Sequence, residues 1–388
     1  MPNAYTSQQG PTIRVLNVDA LVSADTEPSQ LTATIGDAVR EVPTSELWAG
    51  RWGGVVNFLL PDGTESVPMK IRVVSQGGIS STITKYLSVA APSSPADLER
   101  EARLERSRAA GIPEGFAGWH DTGPTIGTEF TTVLDGDQTF TEDTSLAATQ
   151  INGRVIADGC TVTLTDSLVR SGSNLRLHTV NGGSIVGYRV ELDGLGGQGG
   201  IAVGYNNIEL FDSLIHNCVD GARLTNRIKL HHCLIVDLTD NDKKDHNDCV
   251  QSTGGGAGDC VVDDFSTLLG NRKSGTFANS AAIVGGETND QRAILFEDVY
   301  MDGGNCTLYV KNAAEGYETI GPIVFRRVLF GGNHRYNDIG LSHEVPNLHF
   351  EDCRRVDGQP FSMLLYRADG SAHSDSWTPA DLEAAHPA

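Results

Sequence analysis

"TVTLTDSLV" occupies residues 161–169, and the same pattern returns further along the chain. The copies are "NIELFDSLI" (207–215), "RIKLHHCLI" (227–235), "AILFEDVYM" (293–301), "PIVFRRVLF" (322–330) and "NLHFEDCRR" (347–355). Each reads apolar, any residue, apolar, then two mostly polar residues, a small or apolar residue, and usually more apolar ones. "SIVGYRVEL" (184–192) and "CVVDDFSTL" (260–268) are looser copies. The equivalent sixth positions are Asp166, Arg189, Asp212, His232, Asp264, Asp298, Arg327 and Asp352. They are spaced on average by about 27 residues, a period that signals a solenoid. The alternation is that of short strands, and Gly, Asn and Asp turns separate the runs. Stacked short strands predict a parallel β-helix, in which each coil buries its inward residues against the next coil about 4.8 Å away. An end of such a stack is an open sheet edge and calls for a cap.

Outside the repeat the chain changes character twice. Residues 11–90 alternate as about six half-buried strands, among them Leu31, Ala33 and Ile35. They predict a small β-sandwich of immunoglobulin-like or fibronectin-like outline over 1–92. Pro61-Asp62-Gly63 marks a turn, so the runs on either side are expected to pair as a hairpin. Residues 93–118 read as a connector or capping helix. Ser94 is the expected N-cap, Pro95 the first helical residue, and Gly111 and Pro113 the stop. The β-helix is expected over 119–372. A tail over 373–388, with Thr378, Pro379 and Asp381 as a helix start, caps the stack or docks elsewhere. The expected class is therefore all-β: sandwich, short helix, β-helix.

The totals limit function. The formal charge of −21 argues against nucleic acid and anionic membranes as partners. No apolar run approaches the roughly 18 residues that would span a bilayer. The first residues, MPNAYTSQQG, lack the basic and apolar regions of a secretion signal, so the expectation is synthesis and folding in a cytoplasm, or exit from it by a route without a cleaved signal. Seven widely spaced Cys without a CxxC pair argue against a disulfide framework and read as small buried hydrophobes.

The stretch 118–358 resembles a right-handed parallel β-helix family of the pectate-lyase-like superfamily. Members occur in secreted actinobacterial proteins and in minor tail proteins of phages that infect actinobacteria. "GWHDTGP" (118–124) looks like that family's lead-in segment, "INGRVIADGCTVTLTDSLV" (151–169) like its first coils, and "DHNDCVQSTGG" (245–255) like its H-x-D-G-x-Q…G-G coil. His246, Asp248 and Gln251 match that coil, while Cys249 stands where Gly is usual. With no secretion signal in view, the resemblance implies a phage minor tail protein. It would be a virion component that contacts other tail proteins, carries the expectation of a homotrimer, and presents its β-helix to host cell-envelope polysaccharide. The alternative it implies is a polysaccharide lyase or glycoside hydrolase acting on an acidic glycan.

The chemistry-bearing candidate is "KKDHNDCVQSTGGG" (243–256). As a catalytic cluster, Lys244, His246 and Arg272 would supply a base or a positive charge, and Asp245 with Asp248 would hold Ca²⁺. Hydrolysis would instead pair Asp248 with an acid on a neighbouring coil, Asp263 or Asp264, at about 5–5.5 or 6.5–9.5 Å. Lys243, Gln251 and Asp264 are the candidate substrate contacts. Sugar binding without catalysis uses the same residue types. The structural alternative is a polar turn in which His246 and Asp248 satisfy backbone groups. Elsewhere, the glycine run "DGLGGQGG" (193–200) lacks a βαβ setting and reads as a wide turn. His231 and His232 alternate faces of a strand, so they do not form a metal pair.

Overall fold

The computed structural model describes residues 4–387 apart from 9–12, 24–29, 36–37, 43–45, 49–50, 62–65, 75–79, 89–94, 197–199, 240–246, 256–258, 343–344 and 368–370. The chain divides into two compact units, Met1–Glu99 and Arg100–Ala388.

The first unit is antiparallel β. One sheet orders Ala4–Gln8, Ile13–Ser23, Arg51–Pro61 and Glu46–Trp48, and the other Ala38–Glu41, Gln30–Ile35, Ser66–Val74 and Ser80–Ser88. Leu31, Ala33 and Ile35 are buried in alternation, as their spacing predicts. The hairpin expected across residues 61–63 does not form. Arg51–Pro61 pairs along its whole length with Ile13–Ser23, while Ser66–Val74 pairs with Gln30–Ile35 and Ser80–Ser88. A full-length register with a distant strand outweighs the local turn signal, and the chain passes from one sheet to the other between the two runs.

The second unit is a parallel β-helix of three sheets. Among the described residues the first sheet runs from Gln138–Phe140 to Ala372–Trp377, the second from Thr144–Ala147 to Leu348–Glu351, and the third from Thr132–Asp135 to Arg354–Arg355. Successive coils pair in parallel register, for example Ile185 with Ile208 and Ile208 with Ile228. Inside lies one continuous apolar column. Val162, Ile185, Ile208, Ile228 and Val262 belong to it, as does a stack of Phe296, Phe325 and Phe350 with ring centroids 4.9 and 5.0 Å apart. All seven Cys are free and buried.

The repeat seen in the sequence is the corner between the second and third sheets. All eight sixth positions have φ between +46° and +54°, and Ala148 occupies the same place in the first coil at +45°. One left-handed residue turns the chain sharply, and the next residue points into the core. Ser167, Val190, Ser213, Cys233, Val299 and Val328 are fully buried there. Left-handed conformation costs a non-glycine residue roughly 1–2 kcal/mol, and Asp and Asn bear it best. The charged side chains at the corner offset part of this cost by bonding along the stack. Arg189 grips Asp166 with two bonds of 2.8 and 2.7 Å, and Arg327 grips Asp298 with two of 2.7 Å. Only the coil holding Asp264 differs: Phe265 is also left-handed, so an extra residue bulges the corner.

Two helices serve this unit. Helix α1 (Pro95–Ala109) ends before Gly111, whose φ of +75° makes the stop. Ser94 lies outside the described residues. Instead of capping the N-terminal end of the stack, α1 leads into a strap along its side. Ile112, Ala117 and Trp119 cover Leu214, Leu234, Val236, Leu269 and Tyr300 on the outside of the third sheet. The physical reason is that these five residues make that outer face apolar, and an apolar face needs cover. Backbone bonds pin the strap at both ends, Ala117 N to Phe265 O at 2.8 Å and Gly123 N to Asp212 O at 2.8 Å. Helix α2 (Pro379–Ala385) begins at the expected Thr378, which exchanges capping bonds with Asp381. Leu382 is buried in the core column and His386 O accepts from Phe350 N, so α2 closes the C-terminal end.

Candidate functional site

The segment between the third-sheet strand Leu234–Val236 and the first-sheet strand Asp248–Ser252 is the longest link at that corner. Lys243, Lys244, Asp245 and His246 lie in it, outside the described residues. Asp248 opens the strand and is fully buried. One carboxylate oxygen accepts from Asn279 Nδ2 at 2.9 Å and from Ser280 Oγ. The other has no hydrogen-bond partner among the described residues. Its backbone N–H donates to Asp220 Oδ1 at 3.2 Å on the preceding coil. Burial, and next the nearby charge of Asp220, push the Asp248 carboxyl up to about 7.

The other candidates do not gather around it. Gln251 is half-buried further along the same strand, beside Arg223 and Ile283. Arg272 pairs with Leu238 across coils and reaches Asn247 Oδ1 at 3.5 Å, which ties it to the base of the 240–246 segment. Asp264 sits exposed at the opposite corner, and Asp263 is taken up by His231 at 2.5 Å. The expected pairing of Asp248 with Asp263 or Asp264 across one groove is therefore corrected. Asp248 opens a first-sheet strand and is fully buried, whereas Asp263 ends the following second-sheet strand and Asp264 stands at the corner beyond it, so the acids lie on different sides of the coil. His231 and His232 do diverge, the first to Asp263 and Glu209, the second to Asp212 at 2.8 Å. Among the described residues no group of three or more His, Cys, Asp or Glu side chains is placed to hold a metal ion, and Asp245, the expected partner of Asp248 for Ca²⁺, is not among those residues.

A cleft of about 410 Å³ opens instead where the third sheet turns toward the first. Its wall is built from neighbouring coils: Arg170 and Asp193 at strand ends, Leu195 and Gly196 in the glycine run, Asn217 and Thr239 beyond the next two strands, and Lys273 on a later loop. Asp193 is held from three sides. Arg170 Nε lies 3.3 Å away, Asn217 Nδ2 donates at 2.9 Å and the Leu195 amide at 2.8 Å. Burial works to raise the Asp193 carboxyl, but the bonds from Asn217 and Leu195 and the charges of His216 and Arg170 outweigh it and hold it below the ordinary value. Next to it, His216 bridges Glu191 and Asn217 at 2.9 Å each.

Beneath the cleft lies Arg176, fully buried. Its guanidinium donates to the carbonyls of Ser171 at 2.8 Å, Gly194 at 3.2 Å and Gly200 at 3.4 Å. The glycine run thus wraps a buried cation. A Cβ at Gly194 would lie 1.8 Å from Asn217 O and 2.6 Å from Arg176 Nη2, so only glycine fits. Sequence reasoning had this run as a wide turn and missed the cleft. The available signal was an Asp at the head of the run and an Arg amid apolar strand residues one coil earlier.

No protein-family model matches the chain, and no curated protein does. Among solved structures the chain is similar to pectate lyase Pel3 from Pectobacterium carotovorum, at 9% identity over 97% of this chain and 94% of that one, with a TM-score of 0.22. It is also similar to a family 28 exopolygalacturonase from Yersinia enterocolitica, at 8% identity over 91% and 96%, with a TM-score of 0.18. At such scores the parallel β-helix rests on this chain's own strand register.

Proposed function

We propose that this chain binds a glycan without cleaving it, as the host-recognition component of a phage tail. The observation that carries this reading is the contrast between the two polar sites. Asp248, the best acid on sequence grounds, is sealed from solvent and bonded to the next coil, whereas the cleft at Arg170, Asp193 and Lys273 is open. A carboxylate as fully engaged as Asp193 positions neighbours and has no free geometry for proton transfer. Aligned polar groups on a rigid stack are suited to holding a chain-like ligand, since little ordering entropy is lost on binding.

The virion setting rests on the resemblance of residues 118–124, 151–169 and 245–255. In this reading the protein is made in the host cytoplasm, joins other tail proteins as a homotrimer and meets host cell-envelope polysaccharide. The test is incubation of the purified chain with envelope polysaccharides of candidate hosts, with and without Ca²⁺. Binding is followed together with ultraviolet absorbance of unsaturated uronates and the release of reducing ends. Binding without either product signal is expected. Turnover lost on Asp248→Ala would replace this reading with a lyase or hydrolase.

A further inference from the structure

We propose that the cleft seats an anionic group of its ligand between Arg170 and Lys273, above the buried Arg176. This rests on the glycan-binding reading and specifies the chemistry of that same site. The chain as a whole carries −21, yet the lining of this cleft has two cations and a single carboxylate. That carboxylate, Asp193, already accepts from Arg170, Asn217 and the Leu195 amide, so it is satisfied and does not repel an incoming anion as a bare acid would. Lys273 is exposed, and its ammonium group has no partner among the described residues, although its backbone is fixed by a 2.9 Å bond to Leu238 O.

Arg176 adds a buried charge that feels Asp193 only at a distance. It has carbonyl partners but no carboxylate within ion-pair distance among the described residues. A buried cation without a counter-ion in direct contact is costly, and its field is weakly screened in the low-dielectric interior. Two of its carbonyl partners, Gly194 and Gly200, lie at the two ends of the run whose Leu195 and Gly196 line the cleft. An anion in the cleft would therefore sit near Arg176 and add to the countercharge that Asp193 alone supplies. A volume of about 410 Å³ falls in the range of small-ligand sites, roughly 300–1,000 Å³. It would take one charged sugar unit of a longer chain. Carboxylate, phosphate and sulfate share the required chemistry.

The test is calorimetric titration of the full chain with trigalacturonate, its carboxyl-reduced neutral counterpart, inorganic phosphate and inorganic sulfate, at low and high salt. Lys273→Glu is the main variant, since its side chain holds nothing in the fold, and an unchanged melting temperature checks this. Arg170→Gln is the second. At least one anionic probe is expected to bind, to weaken at high salt, and to lose about tenfold or more in affinity in either variant, while the neutral trisaccharide binds at least tenfold more weakly. Binding of the neutral trisaccharide that equals the anionic one and ignores Lys273→Glu would overturn the anion site and leave the glycan reading intact. Phosphate or sulfate binding that needs Lys273, with neither trisaccharide bound, would uphold the anion site and count against the glycan reading. No binding of any anion overturns the proposal.

Discussion

Replacing Asp248 by Asn removes a carboxylate that the fold holds away from water. In the folded chain its pKa is about 7, against 3.8 for an ordinary aspartate. Below pH 3.8 the group is protonated whether the chain is folded or not, and its contribution to stability is fully present. As pH rises toward 7 the unfolded chain releases the proton while the folded chain retains it, so unfolding becomes easier. Above about 7 the loss is complete. Roughly three pKa units at 1.36 kcal/mol each give about 4 kcal/mol. The substituted carboxamide would remain neutral throughout. Its carbonyl can accept from Asn279 and Ser280, and its NH₂ group has Asp220 beside it. The assay is thermal and urea unfolding of wild type and Asp248→Asn at pH 4 and pH 8. The two proteins should unfold alike at pH 4, and at pH 8 the variant should be the more stable by several degrees. A variant no more stable than wild type at pH 8 would refute the claim that an ionised Asp248 strains this corner.

Phe325→Ala opens the middle of the three-ring stack and should cost about 3–5 kcal/mol in unfolding experiments, as large core truncations do. Ala148→Gly relieves a left-handed alanine that makes no side-chain bond at the corner, and should raise stability by about 1 kcal/mol in the same assay. Trp119→Ala removes the ring over which Arg106 stacks at 4.4 Å and loosens the strap. Amide exchange at Ala117 and Gly123 should then accelerate while amides of the inner strands keep their protection.

How far the sequence carried can be judged at single residues. Asp166, Arg189, Asp212 and Asp352 could be aligned by eye, and they share one backbone conformation, because a corner with one permitted geometry leaves a repeating trace. The cap at Thr378 was legible for a similar reason, since a capping box is local chemistry. The hairpin across residues 61–63 failed because strand partners are chosen over the whole sheet, and a turn signal reports only its immediate neighbourhood. Trp119 was readable as part of a motif but not as a strap, since the apolar outer face it covers is spread over separate coils. The cleft was hidden in the same way. Arg170, Asp193, Asn217 and Lys273 stand far apart in the chain, and stacking alone brings them together. The reactive-looking run around Asp248 drew attention by density of polar residues, although density does not report whether a group reaches solvent.

The corner between the second and third sheets also bears on how such a chain can change over generations. It is two residues long in nearly every coil, one left-handed and one buried, from Asp166-Ser167 to Asp352-Cys353. The link from the third sheet to the first varies from Gly304-Asn305 to the whole of 237–247. The link from the first sheet to the second varies as well, from Gly204-Tyr205 to 311–322, so differences in length gather at the two ends of the first sheet, one of which carries the cleft. New recognition loops can be exchanged there, by mutation or by grafting, while the opposite edge keeps every coil in step. The molecule separates the part that must stay constant from the part that is free to diversify, and it does so with a single backbone angle repeated coil after coil.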